Sequence, residues 1–303
     1  MRRTDRLVSL IGVPTNSAGK TDSVARAPVV LRQAGLVDAL RRSCDIRDDG
    51  DVSFLRPMER RDPESGIIAY RSQASMVRTV RTKVRGILQE GRFPLVIGGD
   101  CPILLGCLAA AKEVQSTGLI FVDGHEDAYP PHRSPTGEAA DMELGFALGL
   151  ETPTLIRRAM GSESVVHPSQ VCILGPRDRE ILQRAGIRSL DDGSTPFYNA
   201  NAVRRGGLGT LARKAVRRVA SKAGALWLHV DLDVLSTRSL PAVDYPQPGG
   251  LTWVQLESLT TVALVSGRAV GMDVAIYNPD LDPERRGARR IVRYLQTAMA
   301  STR

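Results

Sequence analysis

Three short segments gather the side chains that can do chemistry: Gly98-Gly99-Asp100-Cys101, Asp123-Gly124-His125-Glu126-Asp127 and His229-Val230-Asp231-Leu232-Asp233. The first two follow apolar runs that end at Ile97 and Val122, and the third closes another. Residues i and i+2 of a strand point to one face, with backbones roughly 6.6–7 Å apart. Asp231 and Asp233 are therefore expected to converge, with His229 on their face, and Asp123, His125 and Asp127 alternate in the same way. Carboxylates crowded at a strand end repel one another and lose hydration, so they persist there only when a cation neutralises them. One imidazole among carboxylates suits a borderline divalent ion better than Ca²⁺, which prefers oxygen alone. With the strand ends side by side, five or six donors meet, enough for two metals about 3.5–4 Å apart. A lone Asp-x-Asp is more often a turn or a helix cap. The two motifs together, each closing an apolar strand, favour a metal site.

Short apolar segments rich in Val, Ile and Leu have to carry these motifs. Candidate strands are Leu7–Val13, Asp45–Arg47, Phe93–Ile97, Gly118–Val122, Gln170–Leu174, Gly186–Leu190, Ala225–Val230 and Ala269–Val274. Several are almost uninterrupted apolar runs, the pattern of parallel strands covered on both faces. Helical stretches lie between them at Ala27–Gly35, Arg71–Glu90, Pro102–Ser116, Arg179–Ala185, Ala202–Ala223 and Trp253–Ser266. Strands alternating with helices of this length predict an α/β fold with a doubly wound, mostly parallel sheet. Two long Pro-containing loops, 128–140 and 236–250, follow predicted strands on the edge where open α/β sheets bind ligands.

Composition narrows the alternatives. The 303 residues are 42% hydrophobic and 24% charged, which is ordinary for a globular chain and excludes a disordered or fibrous one. No apolar run approaches the roughly 18 residues that span a bilayer, and the apolar stretch after Met1-Arg2-Arg3 reads as a first strand, not as a signal peptide. The expected location is cytoplasmic, with no membrane partner. The four cysteines are too few and too scattered for a disulfide scaffold. The net charge of +8 comes from arginines and lysines at helical spacing, such as Arg78, Arg81, Lys83 and Arg85, and Arg285 to Arg293. Such spacing marks a solvated face, and no nucleic-acid partner is expected.

The three motifs resemble the ureohydrolase family of arginases, agmatinases and formiminoglutamases, whose pattern reads Gly-Gly-Asp-His, Asp-x-His-x-Asp and Asp-x-Asp. Further stretches fit in the same order: Ile11-Gly12-Val13-Pro14, Ala27-Pro28 with Leu31 to Leu36, Gly175-Pro176-Arg177-Asp178, Gly249-Gly250-Leu251-Thr252 and Asn278-Pro279. The resemblance implies one arginase-like domain over residues 1–303, a three-layer α/β/α architecture around a mostly parallel, roughly eight-stranded sheet. It also implies two divalent metal ions, Mn²⁺ by family habit, held by Cys101, Asp123, His125, Asp127, Asp231 and Asp233. Asp123 and Asp231 would bridge them. The implied reaction is attack by a metal-bridging hydroxide on the central carbon of a guanidino or formimino group, with Asp127 handling the proton. Substrate contacts carry over to Thr136 and Asp178.

Four departures from the family pattern bear on substrate and metal. Cys101 replaces a ligand His; a thiolate there opens Zn²⁺ or Fe²⁺ as alternatives, while a plain buried thiol remains the other reading. Ala140 stands where arginases carry a shuttle His, and a leaving group that departs readily needs less acid catalysis. Ile276 stands where the family grips the guanidinium with Glu, so either Glu126 or Glu138 substitutes for it or the substrate is not a simple guanidinium; the plainer reading of Glu138 is a loop carboxylate. Ser236 replaces a supporting carboxylate. Cys101 with Ala140 resembles the N-hydroxyarginine amidinohydrolase branch. His229 is either a stand-in proton donor or a buried strand histidine bonded locally. The expected activity is cleavage of a linear C–N bond in a small guanidino or amidino substrate, N-hydroxyarginine first. The alternatives are an agmatinase- or formiminoglutamase-like hydrolase, and a catalytically silent binding protein on the same fold. A homo-oligomer is left open.

Overall fold

The computed structural model describes residues 6–205 and 207–301. Eight strands form one sheet: β1 (Leu7–Val13), β2 (Asp45–Asp51), β3 (Phe93–Gly98), β4 (Thr117–Val122), β5 (Val171–Leu174), β6 (Phe197–Tyr198), β7 (Ala225–Asp231) and β8 (Ala269–Ala275). Their order is β2-β1-β3-β8-β7-β4-β5-β6, and every strand pairing is parallel. Every residue of β3, β4, β5 and β7 is buried, as strands with helices on both faces must be. The sheet is thus wholly parallel, where a mostly parallel one was expected.

The edges differ from the centre for a physical reason. β2 is Asp-Ile-Arg-Asp-Asp-Gly-Asp and largely exposed, and its charges leave a poor template for edge-to-edge pairing. Arg32 ties it down by bonding to both Asp48 and Asp51. The opposite edge, β6, is two residues long. The segment predicted as a strand at Gly186–Leu190 is instead irregular. Its backbone amide at Leu190 and the Ser189 hydroxyl serve the Glu126 carboxylate. The helix predicted over Ala202–Ala223 is two helices, Ala200–Arg205 and Leu208–Ala223, with Gly207 outside both. Glycine forfeits backbone entropy inside a helix, so a break there is favoured.

The sheet order explains why the three motifs meet. β3, β8, β7, β4 and β5 are consecutive neighbours. Their carboxyl ends release, side by side, Gly99-Asp100-Cys101, Ile276, Asp231 to Asp233, Asp123 to Asp127 and Gly175 to Asp178. The loop after β3 lies so close to the segment after β1 that a Cβ on Gly99 would stand 1.9 Å from the Thr15 carbonyl oxygen. Asp100 fastens the same loop by accepting from the backbone amides of Ser17 (2.7 Å) and Cys101 (3.0 Å). Among the described residues, no helix is long and apolar enough to cross a membrane.

These contacts set a pair of opposite expectations. Gly99→Ala must displace backbone and should cost about 2–3 kcal/mol. Gly86→Ala, in the helix Tyr70–Gln89 with nothing within 4 Å of the added carbon, should stabilise by about 0.5–1 kcal/mol. Urea unfolding of both variants checks this; equal effects would mean that the β3 loop is not packed as described.

Candidate metal centre and substrate pocket

The Asp-x-Asp pair does not converge by strand alternation. β7 stops at Asp231, and residues Leu232–Val234 form a 3-10 turn. Asp231 caps that turn, its Oδ1 accepting from the Asp233 amide at 2.6 Å. The turn swings Asp233 toward the β4 loop, where its Oδ1 accepts from the Gly124 amide (3.0 Å) and its Oδ2 lies 2.9 Å from His125 Nδ1. In the β4 loop, Asp123 accepts from the His125 amide at 2.7 Å, and Asp127 adopts a left-handed backbone at φ 42°. A carboxylate residue tolerates that region better than a branched one. Cys101 completes the cluster, its thiol 2.7 Å from Asp231 Oδ2. Asp123, His125 and Asp233 each present a ligand atom within 4.8 Å of the others.

Two further layers lie beneath. His229 is fully buried, stacked on Phe121 at 4.9 Å, and its Nδ1 stands 2.5 Å from Asp273 Oδ2. The other Asp273 oxygen accepts from the Trp227 indole at 2.5 Å. Parallel registry builds this row, because His229 pairs with both Asp273 and Phe121. Glu143, at the start of the helix Glu143–Leu148, is fully buried, and neither of its carboxyl oxygens has a hydrogen-bond partner. The same is true of Asp123 Oδ2 and His229 Nε2.

The electrostatics follow from this crowding. Burial, then the Asp233 and Asp123 charges, push Asp231 well above the ordinary carboxyl range. Burial and the Glu143 charge do the same to Asp127, and burial and the Asp123 charge to Glu143. Burial also lifts the Cys101 thiol, with Asp231 adding to it. The histidines move the opposite way from buried bases. Desolvation disfavours their protons, but Asp233 and Asp123 hold His125 well up, and Asp273 and Asp123 hold His229 well up. Burial alone would raise Asp123, yet the neighbouring His125 and His229 outweigh that and lower it. Protons therefore do the neutralising in the metal-free protein. Orphaned oxygens, mutually repelling carboxyls and a thiol at one point are a donor set that fits divalent metal ions.

Above the cluster opens a pocket of about 320 Å³. Asp127, Asp231, Asp233, His125, Thr136 and Asp178 line it, as do Ala140 and Ile276, with Tyr245 in the wall formed by the 236–250 loop. Among the described residues, no arginine or lysine lines it. Thr136 donates to Asp141 at 2.5 Å, and Asp178 receives the Glu126 amide at 3.1 Å while its Oδ1 has no partner. Ile276 adopts φ 68°, a strained conformation for a branched residue, held by its amide donating to the Gly99 carbonyl at 2.7 Å.

Two expected substrate groups lie elsewhere. Glu126 faces Ser189 and Leu190, its oxygens accepting at 2.7 and 2.5 Å, and does not line the pocket. Glu138 stands behind Tyr245, whose hydroxyl donates to it at 3.0 Å; burial raises its carboxyl to about 7. His229 is sealed under Asp123 and cannot pass a proton to a molecule in the pocket. Glu143 and Asp273 were not singled out from the sequence. The signal available for each was a lone acid inside an apolar segment, Met142-Glu143-Leu144 and Met272-Asp273-Val274.

Comparison with known proteins agrees with this fold. The family model described as "Arginase family" matches residues 6–301. The arginase of Bacillus caldovelox is 28% identical over 296 residues, covering 93% of this chain and 94% of that protein. A crystal structure of arginase from that organism superposes with a TM-score of 0.85 at 25% identity, over 98% of both chains. Formimidoylglutamase from Bacillus subtilis shares the fold, with a TM-score of 0.73 at 18% identity over 99% of this chain and 88% of that one.

The raised groups fix how stability depends on pH without metal. Asp100 is lifted by burial from 3.8 to about 6 and Glu138 from 4.5 to about 7, and Asp127, Glu143, Asp231, His125 and His229 are also raised. A raised group contributes stability fully below its unfolded value and loses it as pH rises through its folded value. The melting temperature of chelator-treated protein should therefore fall between about pH 4 and 8. Added Mn²⁺ or Zn²⁺ should restore it most at the alkaline end. A flat profile would show that the cluster is not paying for its buried charge with protons.

Proposed function

The chain belongs to the arginase family, and on that premise we propose a dinuclear-metal hydrolase of a modified guanidino or amidino compound, with N-hydroxyarginine as the first candidate substrate. Members of this family are metal-dependent hydrolases of amidino C–N bonds. One observation carries the reading for this chain: donors from three strand ends meet at the floor of a small pocket lined by carboxylates and, among the described residues, by no arginine or lysine.

The residues that would hold the metals are Cys101 and Asp127 on one side, His125 and Asp233 on the other, and Asp123 and Asp231 between. Two divalent ions there would supply Lewis acidity and lower the pKa of a bound water toward neutrality. Asp127 lines the pocket and would accept the nucleophile's proton and deliver it to the leaving nitrogen. The left-handed turn at 127 aims that carboxyl, and the Gly145 amide fixes the turn by donating to the Asp127 carbonyl at 3.0 Å. Thr136 and the free Asp178 oxygen are positioned for the polar end of the substrate. Tyr245 and the 236–250 loop close one wall and limit water.

The pocket favours a substrate whose nitrogen leaves easily. Apart from His125, no imidazole lines it, since Ala140 occupies the position of the family's shuttle and His229 lies below the floor. Ile276 offers no bidentate partner to a guanidinium. A hydroxyguanidine needs less proton assistance than arginine, which is why it comes first. An agmatinase- or formiminoglutamase-like substrate is the second reading; the absence of arginine and lysine among the described lining residues favours the agmatine-like one, which carries no carboxylate.

Elemental analysis after Mn²⁺ or Zn²⁺ loading should give two equivalents per chain. Turnover, followed as loss of substrate and release of the amine, should be greatest with N-hydroxyarginine in a panel that includes arginine, agmatine and formimidoylglutamate. Asp127→Asn should lower kcat by about 10³-fold with the metal content kept, and Asp231→Ala should abolish both turnover and one or both metals. A fully loaded protein that turns over none of the panel would instead support the silent binding protein.

A further inference from the structure

We propose that the deeper of the two metal positions takes Glu143 and His229 as ligands together with Cys101 and Asp123, giving a mixed sulfur, nitrogen and oxygen site selective for a Zn²⁺-like ion. The two positions would then prefer different metals. This rests on the dinuclear reading above and changes the donor set carried over from the family pattern, in which neither Glu143 nor His229 has a place.

The geometry supplies the argument. Cys101, Asp123, Glu143 and His229 each present a ligand atom within 4.8 Å of the others, and all four are buried. Donors at 2.0–2.3 Å from a tetrahedral ion stand about 3.3–3.8 Å apart, and His229 Nε2 is already 3.8 Å from Asp123 Oδ2. The others need to draw in by no more than about 1.5 Å. Three of the donors hold atoms with no partner: both Glu143 oxygens, Asp123 Oδ2 and His229 Nε2. A fully buried carboxylate without a donor is costly to keep in a fold. Four such atoms stand together in this one cluster.

His229 is built as a metal-binding histidine is built. Asp273 can only accept from Nδ1, and its second oxygen is fixed by Trp227. That bond sets the ring orientation and leaves Nε2 for a ligand, the arrangement in which a carboxylate behind an imidazole raises its basicity toward zinc. The stacked Phe121 prevents the ring from turning away. Gly271 leaves room for the Trp227 indole, since a Cβ there would stand 2.1 Å from it. Asp123 can serve both positions: Oδ1 faces His125 and Oδ2 faces His229. The upper position then keeps Asp123, His125 and Asp233, a harder set suited to Mn²⁺. Thiolate and imidazole together favour Zn²⁺, Fe²⁺ or Co²⁺ below. Coordination takes Cys101 as the thiolate, its proton leaving to solvent.

Cobalt loading of the full-length protein tests this, because Co²⁺ bound to thiolate gives a near-ultraviolet charge-transfer band and scatters anomalously. The expected result is two cobalt positions in crystals, the lower one bounded by Cys101, Asp123, Glu143 and His229, with the thiolate band present in solution. Glu143→Gln and His229→Asn should each keep one equivalent and weaken the second at least tenfold, with loss of intensity in the band. Two cobalt ions with the lower one held by Asp127 and Asp231, away from Glu143 and His229, would overturn the proposal and leave the dinuclear reading intact. One equivalent or none in the unmutated protein would overturn both. The crystals of unmutated protein decide the matter even where a variant fails to fold.

Discussion

Everything at the carboxyl edge of this sheet answers to one constraint: acidic side chains have been drawn out of water into one place, and something positive has to stand among them. Asp123, Asp231 and Asp233 are nearly inaccessible, with Glu143 and Asp273 below them. No lysine or arginine ion pair reaches the cluster among the described residues; its ion pairs are with His125 and His229. Such an arrangement could not be stabilised by hydrophobic packing around it, because unpaired buried charge costs several kcal/mol per group. The parallel sheet makes the crowding possible. Five neighbouring strands deliver their ends to one edge, and backbone amides there point at the carboxylates: Gly124 to Asp233, His125 to Asp123, Asp233 to Asp231.

The same constraint links the centre to the rest of the loop structure. Asp100 is not among the candidate ligands, yet it anchors the loop that presents Cys101, through the amides of Ser17 and Cys101. Gly99 allows that loop to touch the Thr15 carbonyl, and its own carbonyl holds Ile276 in a left-handed turn. Ile276 gains nothing from this conformation as a branched residue. The bend is imposed by the path from β8 to Asn278, whose side chain donates to Asp244 at 2.6 Å and so ties the 236–250 loop to the same edge. A side chain at 276 is thereby directed into the pocket whatever its chemistry, which makes this position a determinant of what the pocket accepts.

The sheet was legible because the central strands are buried on both faces and must be apolar along their whole length. Leu7–Val13 is found with the bounds expected, and Phe93, Ala225 and Ala269 start their strands as expected. Legibility failed where a segment takes its conformation from a distant partner. Gly186–Leu190 has the apolar content of a strand, but it wraps the Glu126 carboxylate instead of pairing. Glu126 was expected to stand in for the gripping Glu that Ile276 replaces, and only the three-dimensional path shows it turned from the pocket. Asp233 was placed correctly for the wrong reason, since a 3-10 turn and not strand alternation brings it in. Glu143 and Asp273 passed unnoticed because single acids in apolar runs carry no spacing pattern. Their meaning appears only when the fold brings Glu143 to His229 and sets Asp273 behind that ring.

The charge balance of the site also limits what it can bind. With Cys101 and Glu143 counted among the donors, five carboxylates and one thiolate surround the proposed metals, more negative charge than two dications supply. Asp141 and Asp178 add to the negative potential of the pocket, each raised by its own burial. A carboxylate substrate end would therefore be held weakly by side chains here, since no arginine or lysine lines the pocket among the described residues and the Thr136 proton is given to Asp141. A cationic end is drawn in by the whole field, even without the single gripping Glu that Ile276 replaces. Loss of that Glu does not abolish attraction for a cationic head. It removes the planar, two-point contact that distinguishes an unmodified guanidinium from a bulkier or N-substituted one. Selectivity at this site should thus come from the shape around Ile276 and Ala140, with electrostatics providing affinity that the related substrates share.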